Sequence, residues 1–227
     1  SIIVRPFKSL DEGPWDEFVA NSNNGTLFHT RKFLSYHPKD RFLDHSLVFE
    51  KKGEIISILP GAIQKKGEKQ ILISHPGASV GSCVVLEKLS FAESLEIVEK
   101  LSNYARSNNI KCVRLIQPPI IYHRHLSQYM DFAFKKAGYL SIYRELSSYL
   151  QIENTIEDNL SKFKSSHRTA LRKAEKLSVK ISISDDYKTF YSILQNNLSI
   201  RHNVKPTHTL FELQELKKKF PDKIHLF

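Results

Sequence analysis

One order of elements occurs twice in this chain and limits the folds that it can adopt. Residues 2–49 have the pattern strand, helix, helix, strand, and residues 179–227 repeat it. In both regions the second helix begins with Thr-Leu-Phe and ends near a proline. The pattern favours a degenerate internal duplication whose second copy stops after its fourth element, although the same order can also recur by chance in two segments.

The residues between the two copies predict a sheet flanked by helices. Residues 44–74 alternate as three strands, with a glycine in each turn. Residues 90–109 predict a helix, in which Ser90 and Glu93 have the spacing of a capping box, and a strand at 110–119 follows. The predicted fold class is therefore α+β (mixed α/β), with at least one helical crossover between strands.

The carboxyl-terminal part of the sequence predicts three helices and three extended stretches. The helical patterns lie at 155–178, 187–201 and 207–220. The extended patterns lie at 140–152, 179–186 and 223–227.

A dense run of positive charge lies between Lys162 and Lys180, a segment that holds seven Lys or Arg residues and one carboxylate, Glu175. Four of these cations recur every four residues and so share a helix face: Lys164, Arg168, Arg172 and Lys176. A charge run is often only a solvated face, but such faces usually interleave carboxylates with the cations. The segment therefore predicts a surface that binds a polyanion such as nucleic acid, an anionic membrane or a phosphorylated small molecule.

Composition is typical of a globular chain in a reducing, cytoplasmic setting. The net charge is +10, and 41% of the 227 residues are hydrophobic. No apolar stretch approaches the roughly 20 residues of a membrane-spanning helix, and the first residues lack a signal-peptide pattern. Cys83 and Cys112 lie in apolar, strand-like surroundings, so both are predicted to be small buried residues without a redox or metal role.

Familiar catalytic and metal-binding motifs do not occur in the sequence. It has no GxSxG, HExxH, P-loop or CxxC pattern, and its ten histidines are scattered. His123 and His125 are two residues apart, which suits no shared helix face, so no metal site is expected. The glycine-bearing loop at 75–82 is more typical of a tight turn than of a phosphate cradle. The sequence assigns no catalytic residue.

Two stretches resemble one known group of transferases. The phrase SSHRTALRKAEKLSVKI at 165–181 and the phrase WDEFVANSNNGTLFHTRKFL at 15–34 are similar to the FemAB-like group of the GNAT acyltransferase superfamily. The resemblance implies a GNAT-like acyl-CoA N-acyltransferase fold in three parts. These are a complete first unit at 1–153, a basic linking helix at 154–178 and the incomplete start of a second unit at 179–227.

The resemblance also implies a reaction, the transfer of an acyl or aminoacyl group to an amine of a peptidoglycan precursor or related anionic acceptor. In Fem proteins the donor is aminoacyl-tRNA and in GNAT relatives it is acyl-CoA, so these are the expected co-substrates and no cofactor is expected to be tightly bound. Donors and acceptors alike carry phosphate, which Arg binds through paired hydrogen bonds. The residues predicted to bind that phosphate are Lys164, Arg168, Arg172 and Lys173 and, from the first unit, Arg31 and Lys32.

The second unit departs from the pattern of the group, because the sequence holds nothing beyond its second strand. The chain is therefore expected to be a fragment of a longer protein or a reduced form of it. A half-built sheet has an unpaired edge, which a homodimer or another partner would complete.

A second class of function stays open beside acyl transfer. The basic helix can bind RNA or DNA without catalysis, as an anion-binding module derived from an acyltransferase. Stacking aromatic residues are not interleaved with the cations, except for Phe163, and this disfavours the alternative. The donor, the acceptor, the catalytic base and the oligomeric state all stay open at this level.

Overall fold

The structure is a computed structural model that describes residues 1–38 and 40–227. They form two compact units, Ser1–Ile142 (the first unit) and Tyr143–Phe227 (the second unit). Among the described residues, none of the helices combines the length and the apolar character that a bilayer span requires. The three-part division at 153 and 178 is finer than these two units and stays a prediction.

The described strands of the first unit form two four-stranded sheets. The first sheet is antiparallel and has the order β1 (Ile2–Pro6), β3 (Leu47–Lys51), β4 (Glu54–Leu59) and β7 (Val84–Val85). The second sheet has the order β2 (Leu43–Asp44), β5 (Gly61–Lys66), β6 (Lys69–Ser74) and β8 (Ile110–Arg114). β6 and β8 are parallel, and α3 (Phe91–Ser107) lies between them in the chain. The predicted helical crossover is therefore confirmed.

Pro60 separates two strands that the sequence pattern joined into one. The prediction of three strands at 44–74 is wrong, because β4 ends at Leu59, β5 begins at Gly61 and the two belong to different sheets. A proline has no N–H and cannot continue a hydrogen-bonded ladder. The N–H of Gly61 donates to Ser46 Oγ at 3.2 Å where the chain passes from one sheet to the other.

α3 packs the main core of the first unit. It begins with the predicted capping box, in which Ser90 Oγ accepts from the N–H of Glu93 at 3.2 Å and Glu93 Oε2 accepts from the N–H of Ser90 at 2.9 Å. Each fully buried aliphatic side chain contributes roughly 1.5–3 kcal/mol relative to an exposed one. The buried cluster joins α3 to both sheets through Ile97, Val98, Leu101 and Ala105 with Ile2, Leu47, Phe49, Ile63 and Leu72.

A second cluster forms under α1 (Glu12–Asn21), which confirms the helix predicted in the first copy. Trp15 is fully buried at its centre, and the indole Nε1 donates to the carbonyl oxygen of His29 at 2.8 Å. The other buried members are Phe18, Val19, Val48, Ile58 and Val84.

The other two helices of the first unit are short. α2 (Arg31–Leu34) is one turn long and follows a 3-10 turn at Leu27–His29, so the helix predicted at 26–38 is shorter than expected. α4 (Tyr129–Lys136) ends two residues before Gly138, which adopts a φ of 86° as a helix-ending glycine can.

The described residues of the second unit are mainly helical. Its helices are α5 (Ile156–Ser161), α6 (Ser165–Lys176), α7 (Tyr187–His202) and α8 (Leu210–Lys219), and the last two confirm their predictions. The helical pattern at 155–178 is split in two, because Lys164 has an extended backbone (φ −59°, ψ 152°) where it caps α6. Two serines follow at once, and serine favours the start of a helix over its interior.

The extended patterns of the second unit form almost no sheet within the described chain. The stretches 140–152, 179–186 and 223–227 contain one isolated antiparallel bridge, in which the N–H of Ser184 donates to the carbonyl oxygen of Leu226 at 2.9 Å. A strand needs a neighbour for its N–H and C=O groups, which alternation of side chains does not report. The strand predictions are therefore wrong beyond this bridge.

The two cysteines lie in different environments. Cys83 is buried, as predicted, and burial raises the pKa of its thiol to about 12. Cys112 is exposed, so the prediction is wrong for it. It lies on β8, an edge strand of the second sheet, where alternate side chains point away from the core.

Candidate functional site

The basic face predicted from the sequence lies on α6 and its cap. Lys164 occupies the cap position, and Arg168 and Arg172 follow in steps of about one turn, with Lys173 beside Arg172. These four residues are called the α6 cations below. None of the residues of α6 is buried, so the whole face is at the surface of the second unit.

The α6 cations keep their capacity to bind an external anion. Within the described chain, no ion pair or side-chain hydrogen bond joins any of them to another residue. Lys162 differs, because its Nζ forms an ion pair with Glu153 and donates to the carbonyl oxygen of Gln151 at 2.7 Å. Lys162 thus anchors α5 to the chain that precedes it.

The charge of this face is suited to phosphate. Glu175 is the one carboxylate on α6, so the cations are not neutralised by their own helix. Guanidinium groups bind phosphate through two parallel hydrogen bonds, and ammonium groups add charge that can adjust its position. The start of α6 receives no side-chain cap from Lys164, so its first N–H groups add partial positive charge.

Arg31, the predicted phosphate ligand of the first unit, is engaged within that unit. Its guanidinium forms an ion pair with Asp44, donates to Ser46 Oγ at 3.0 Å and lies 3.9 Å from the ring centroid of Phe7. Its main-chain N–H donates to Asp16 Oδ1 at 2.5 Å. A phosphate at Arg31 would have to compete with the Asp44 carboxylate.

The Asp44 carboxylate is held in its charged form. Burial alone would raise its pKa, but the hydrogen bond and the charge of Arg31 and two hydrogen bonds from Ser46 together outweigh burial. The net effect is a lowered pKa. Lys32, the other predicted ligand, is an exposed residue of α2 whose N–H donates to Asp16 Oδ2 at 3.2 Å.

His75 is a buried imidazole whose electrostatic surroundings include Asp44 and Arg31. Its Nδ1 lies 2.9 Å from the carbonyl oxygen of Pro76, which can only accept, so Nδ1 carries the hydrogen and Nε2 the lone pair. Burial lowers the pKa of His75, although the Pro76 carbonyl and the Asp44 charge act in the opposite direction.

Aromatic rings and a tight turn hold His75 in place. Its ring lies 5.4 Å from Phe42, edge to face, and 6.0 Å from His37, nearly parallel. Gly77 has a φ of 82°, and a Cβ there would lie 2.1 Å from His37 Cε1, so no larger residue fits. The N–H of Ala78 donates to the carbonyl oxygen of His75 at 3.3 Å, as in a tight turn.

The second glycine of the same loop is used by the fold. The N–H of Gly81 donates to the carbonyl oxygen of Ile116 at 2.7 Å, and its own carbonyl oxygen accepts from His29 Nε2 at 3.0 Å. A Cβ on Gly81 would lie 2.6 Å from Ser74 Cβ. These contacts fit the interpretation of the loop as a structural turn.

Sequence reasoning missed the environment of His75 and the partner of Arg31. Asp44 follows Arg31 by 13 residues, and His75 follows β6, so only the folded sheets bring them near one another. The local sign that was present is the order His-Pro-Gly at 75–77, which places an imidazole at the start of a turn. As phosphate ligands, the α6 cations, Arg31 and Lys32 stay predictions.

Comparison with known proteins identifies the fold. No protein-family model matches the sequence, and no curated protein matches it. Among solved structures, FemX is similar over 96% of this chain, with a TM-score of 0.63 and 14% identity. The ribosomal-protein-alanine N-acetyltransferase of Brucella melitensis biovar Abortus 2308 is similar over 66% of this chain and 100% of its own length, with a TM-score of 0.43 and 7% identity. A GNAT family acetyltransferase of Staphylococcus aureus covers 66% of this chain and 99% of its own, with a TM-score of 0.37 and 14% identity.

The likeness to FemX confirms the fold that the resemblance implied. This chain has the fold of FemX, a mixed α+β fold. It spans 54% of the length of FemX.

Proposed function

We propose that this chain, which shares the fold of FemX, acts in the transfer of an acyl or aminoacyl group from a phosphate-bearing donor to an amine. The observation that carries the proposal is the similarity to FemX over nearly the whole chain. The donor is an acyl-CoA or an aminoacyl-tRNA, and the acceptor is a peptidoglycan precursor or a related anionic molecule. The setting that fits these substrates is cytoplasmic.

The α6 cations have the role of phosphate ligands in this proposal. Acyl transfer to an amine needs two substrates held in line and a donor for the oxyanion that forms on the carbonyl. It also needs a group that accepts the proton of the amine as the bond to the carbonyl carbon forms and the bond to the leaving sulfur or oxygen breaks. Charged hydrogen bonds to a phosphate anchor the donor or acceptor without taking part in those bond changes.

A binding measurement with a matched variant tests this role. Calorimetric titration with coenzyme A, uncharged tRNA and uridine diphosphate compares the unchanged chain with Arg168→Ala/Arg172→Ala. Each charged hydrogen bond is worth about 1.5–3 kcal/mol, so the double variant is expected to lose at least about tenfold in affinity for the anion that binds. Lys188→Ala/Arg201→Ala removes two exposed cations from α7 and should leave affinity unchanged.

Equal affinity of the α6 variant and the unchanged chain, with the fold intact by circular dichroism, would remove the role of α6. Product formation from acyl-CoA or aminoacyl-tRNA and an amine, followed by mass spectrometry, then tests transfer itself.

A nucleic-acid or anion-binding module without catalysis is the alternative function. The feature that favours it is the single carboxylate among the cations of α6. Such a module would bind random oligonucleotides more tightly than coenzyme A, with an affinity that falls steeply as salt rises, and would form no product.

A further inference from the structure

Three aromatic side chains form a cluster at the surface of the first unit. Phe91, at the start of α3, contacts Tyr129 and Phe132 of α4, with ring centroids 5.5 Å and 5.4 Å apart. The three residues are 40%, 47% and 51% exposed. These three residues are called the aromatic patch below.

The aromatic patch is not needed to fill the core. α4 already contributes Ala133 and Phe134 to the buried cluster, while Tyr129 and Phe132 lie on its flank and outer side. An exposed patch with three aromatic rings in one place is unusual on a protein surface, where large apolar residues are mostly scattered. The patch therefore calls for something that covers it.

Lysines lie near the aromatic patch, mixed with a smaller number of exposed carboxylates. Lys135 and Lys136 follow Phe132 by three and four residues on α4, and Lys88 comes two residues before the cap of α3. Lys52 and Lys88 also line a cavity of about 340 Å³ with Lys51, Glu54, Glu93 and Leu89. The exposed carboxylates near these lysines are Glu54, Asp131 of α4, and Glu87, which is paired with His125 at 2.7 Å. Lys51 is paired with Glu93 at 2.7 Å, so the exposed members of this lysine rim are Lys52, Lys88, Lys135 and Lys136.

We propose that the aromatic patch and its lysine rim dock the first unit on an anionic lipid bilayer. Tyrosine is favoured at the level of lipid headgroups, because its ring is apolar and its hydroxyl is polar, and phenylalanine is among the residues that bury their side chains at the boundary between headgroups and acyl chains. Lysines near a bilayer place their stems along apolar surface and their charge at the headgroups. Each contributes to attraction by anionic lipid, so the patch and the rim act on the same surface.

The kind of cation favours a bilayer over a protein partner. The exposed cations near the aromatic patch are lysines, and lysine is depleted in protein interfaces whereas arginine is enriched. The nearby Arg124 is held by the fold, since its N–H donates to the carbonyl oxygen of Asn23 at 2.9 Å and its guanidinium donates to Ala20. Docking does not depend on the proposed transfer reaction.

Vesicle co-sedimentation of the unchanged chain tests the proposal directly. Vesicles of phosphatidylglycerol and phosphatidylethanolamine are compared with vesicles of phosphatidylcholine alone, without donor or acceptor. The chain is expected to bind the anionic vesicles at least about tenfold more tightly. Equal binding to both, or binding to neither, would overturn the proposal.

Two variants separate the patch from the rim. The first variant, Phe91→Ser/Phe132→Ser, removes apolar contact with the bilayer. The second variant, Lys88→Glu/Lys135→Glu/Lys136→Glu, reverses the charge of the rim. Each variant is expected to reduce binding to anionic vesicles at least about tenfold. The matched controls Leu10→Ser/Leu140→Ser and Lys65→Glu/Lys66→Glu/Lys69→Glu make the same kinds of change at exposed residues elsewhere in the first unit and should bind as before. All five residues of the two variants are exposed, so thermal unfolding midpoints should stay close to that of the unchanged chain.

A fluorescent reporter gives an independent reading. Trp15 is the one natural tryptophan and is fully buried, so Phe132→Trp adds a signal from the patch. Its emission should shift to the blue when anionic vesicles are added. No shift, or vesicle binding that is lost in Arg168→Ala/Arg172→Ala and kept in the patch variants, would contradict the proposal. Concentration-dependent self-association that the patch variants abolish, without vesicle binding, would identify a protein interface instead.

Discussion

Residues 2–51 and 184–226 contain the same order of elements, an extended segment, two helices and a second extended segment. In the first copy, β1 and β3 are antiparallel and pair over five residue pairs. In the second copy, Ser184 and Leu226 are antiparallel too, but they pair at a single bridge. The two regions therefore agree in direction and order and differ in how much sheet they form.

The difference lies in what surrounds each pair. In the first copy β4 adds a third strand beside β3, and α3 covers the face, so Ile2 and Phe49 are buried. In the second copy Ile181 and Ile183 have the same alternation but are 82% and 67% exposed. Two strands alone are marginal in water. A local alternating pattern thus becomes a sheet only where a third strand and a covering helix are present.

Hydrogen exchange should show the largest contrast between the copies. Amides of β3 are expected to exchange roughly three orders of magnitude or more slowly than those of 179–183, because β3 opens only with the core while 179–183 lies outside any ladder. Mass spectrometry after a deuterium pulse measures both. Equal protection would mean that the second copy also forms a sheet in solution, which would contradict the difference in sheet content between the two copies.

Core substitutions should separate the first helices of the two copies. Trp15→Ala in α1 is expected to lower the free energy of unfolding by about 3–5 kcal/mol, since Trp15 is fully buried. Its counterpart Phe190→Ala in α7, where Phe190 is 36% exposed, should cost less, about 1–2 kcal/mol. Urea unfolding followed by circular dichroism compares them, and equal losses would show that α7 is packed as tightly as α1.

Acid should destabilise the first copy through His29. Its Nδ1 accepts from the N–H of Thr26 at 3.0 Å and its Nε2 donates to Gly81, so the buried ring is neutral. Burial lowers the pKa of His29 below that of a histidine in an unfolded chain, which is about 6.5, so below that pH the unfolded chain binds more protons than the folded one. The contribution of neutral His29 to the free energy of unfolding is fully present above about pH 6.5 and is lost as the pH is lowered.

Unfolding free energies between pH 7.5 and pH 5 measure this slope, which should be smaller in His29→Gln. A slope that His29→Gln leaves unchanged would assign the acid sensitivity to other groups.

Removal of a helix cap should give the smallest loss of stability, and the loss should be the same in the first unit and in the second. Ser90 caps α3, and Thr209 caps α8 with Glu212, each by the same pair of reciprocal hydrogen bonds. Ser90→Ala and Thr209→Ala are each expected to cost about 1 kcal/mol of stability. Thermal unfolding checks this, and a loss at Ser90 alone would mean that α8 does not unfold with the rest.

The sequence predicted the elements whose signals are local. The capping box of α3 and the helical periodicity of α7 and α8 depend on residues within a few positions of one another, and the structure confirms them. The basic face of α6 was also predictable, because a spacing of four residues needs no tertiary information.

Elements that depend on a partner distant in the chain could not be predicted from the sequence. The assignment of β4 and β5 to different sheets, the exposure of Cys112 on an edge and the missing ladder at 179–186 are each decided by which strand lies alongside. At the candidate site, the ion pair of Arg31 with Asp44 joins α2 to β2, which the spacing of 13 residues does not reveal.

The exposure of Cys112 and the burial of Trp15 have a practical consequence for the first unit. Cys83 is buried with a strongly raised thiol pKa, so a maleimide dye would attach at one position without any mutation. The one tryptophan then serves as an energy donor to that dye within the same unit. The efficiency of energy transfer from Trp15 to a dye on Cys112 would therefore follow the unfolding of the first unit.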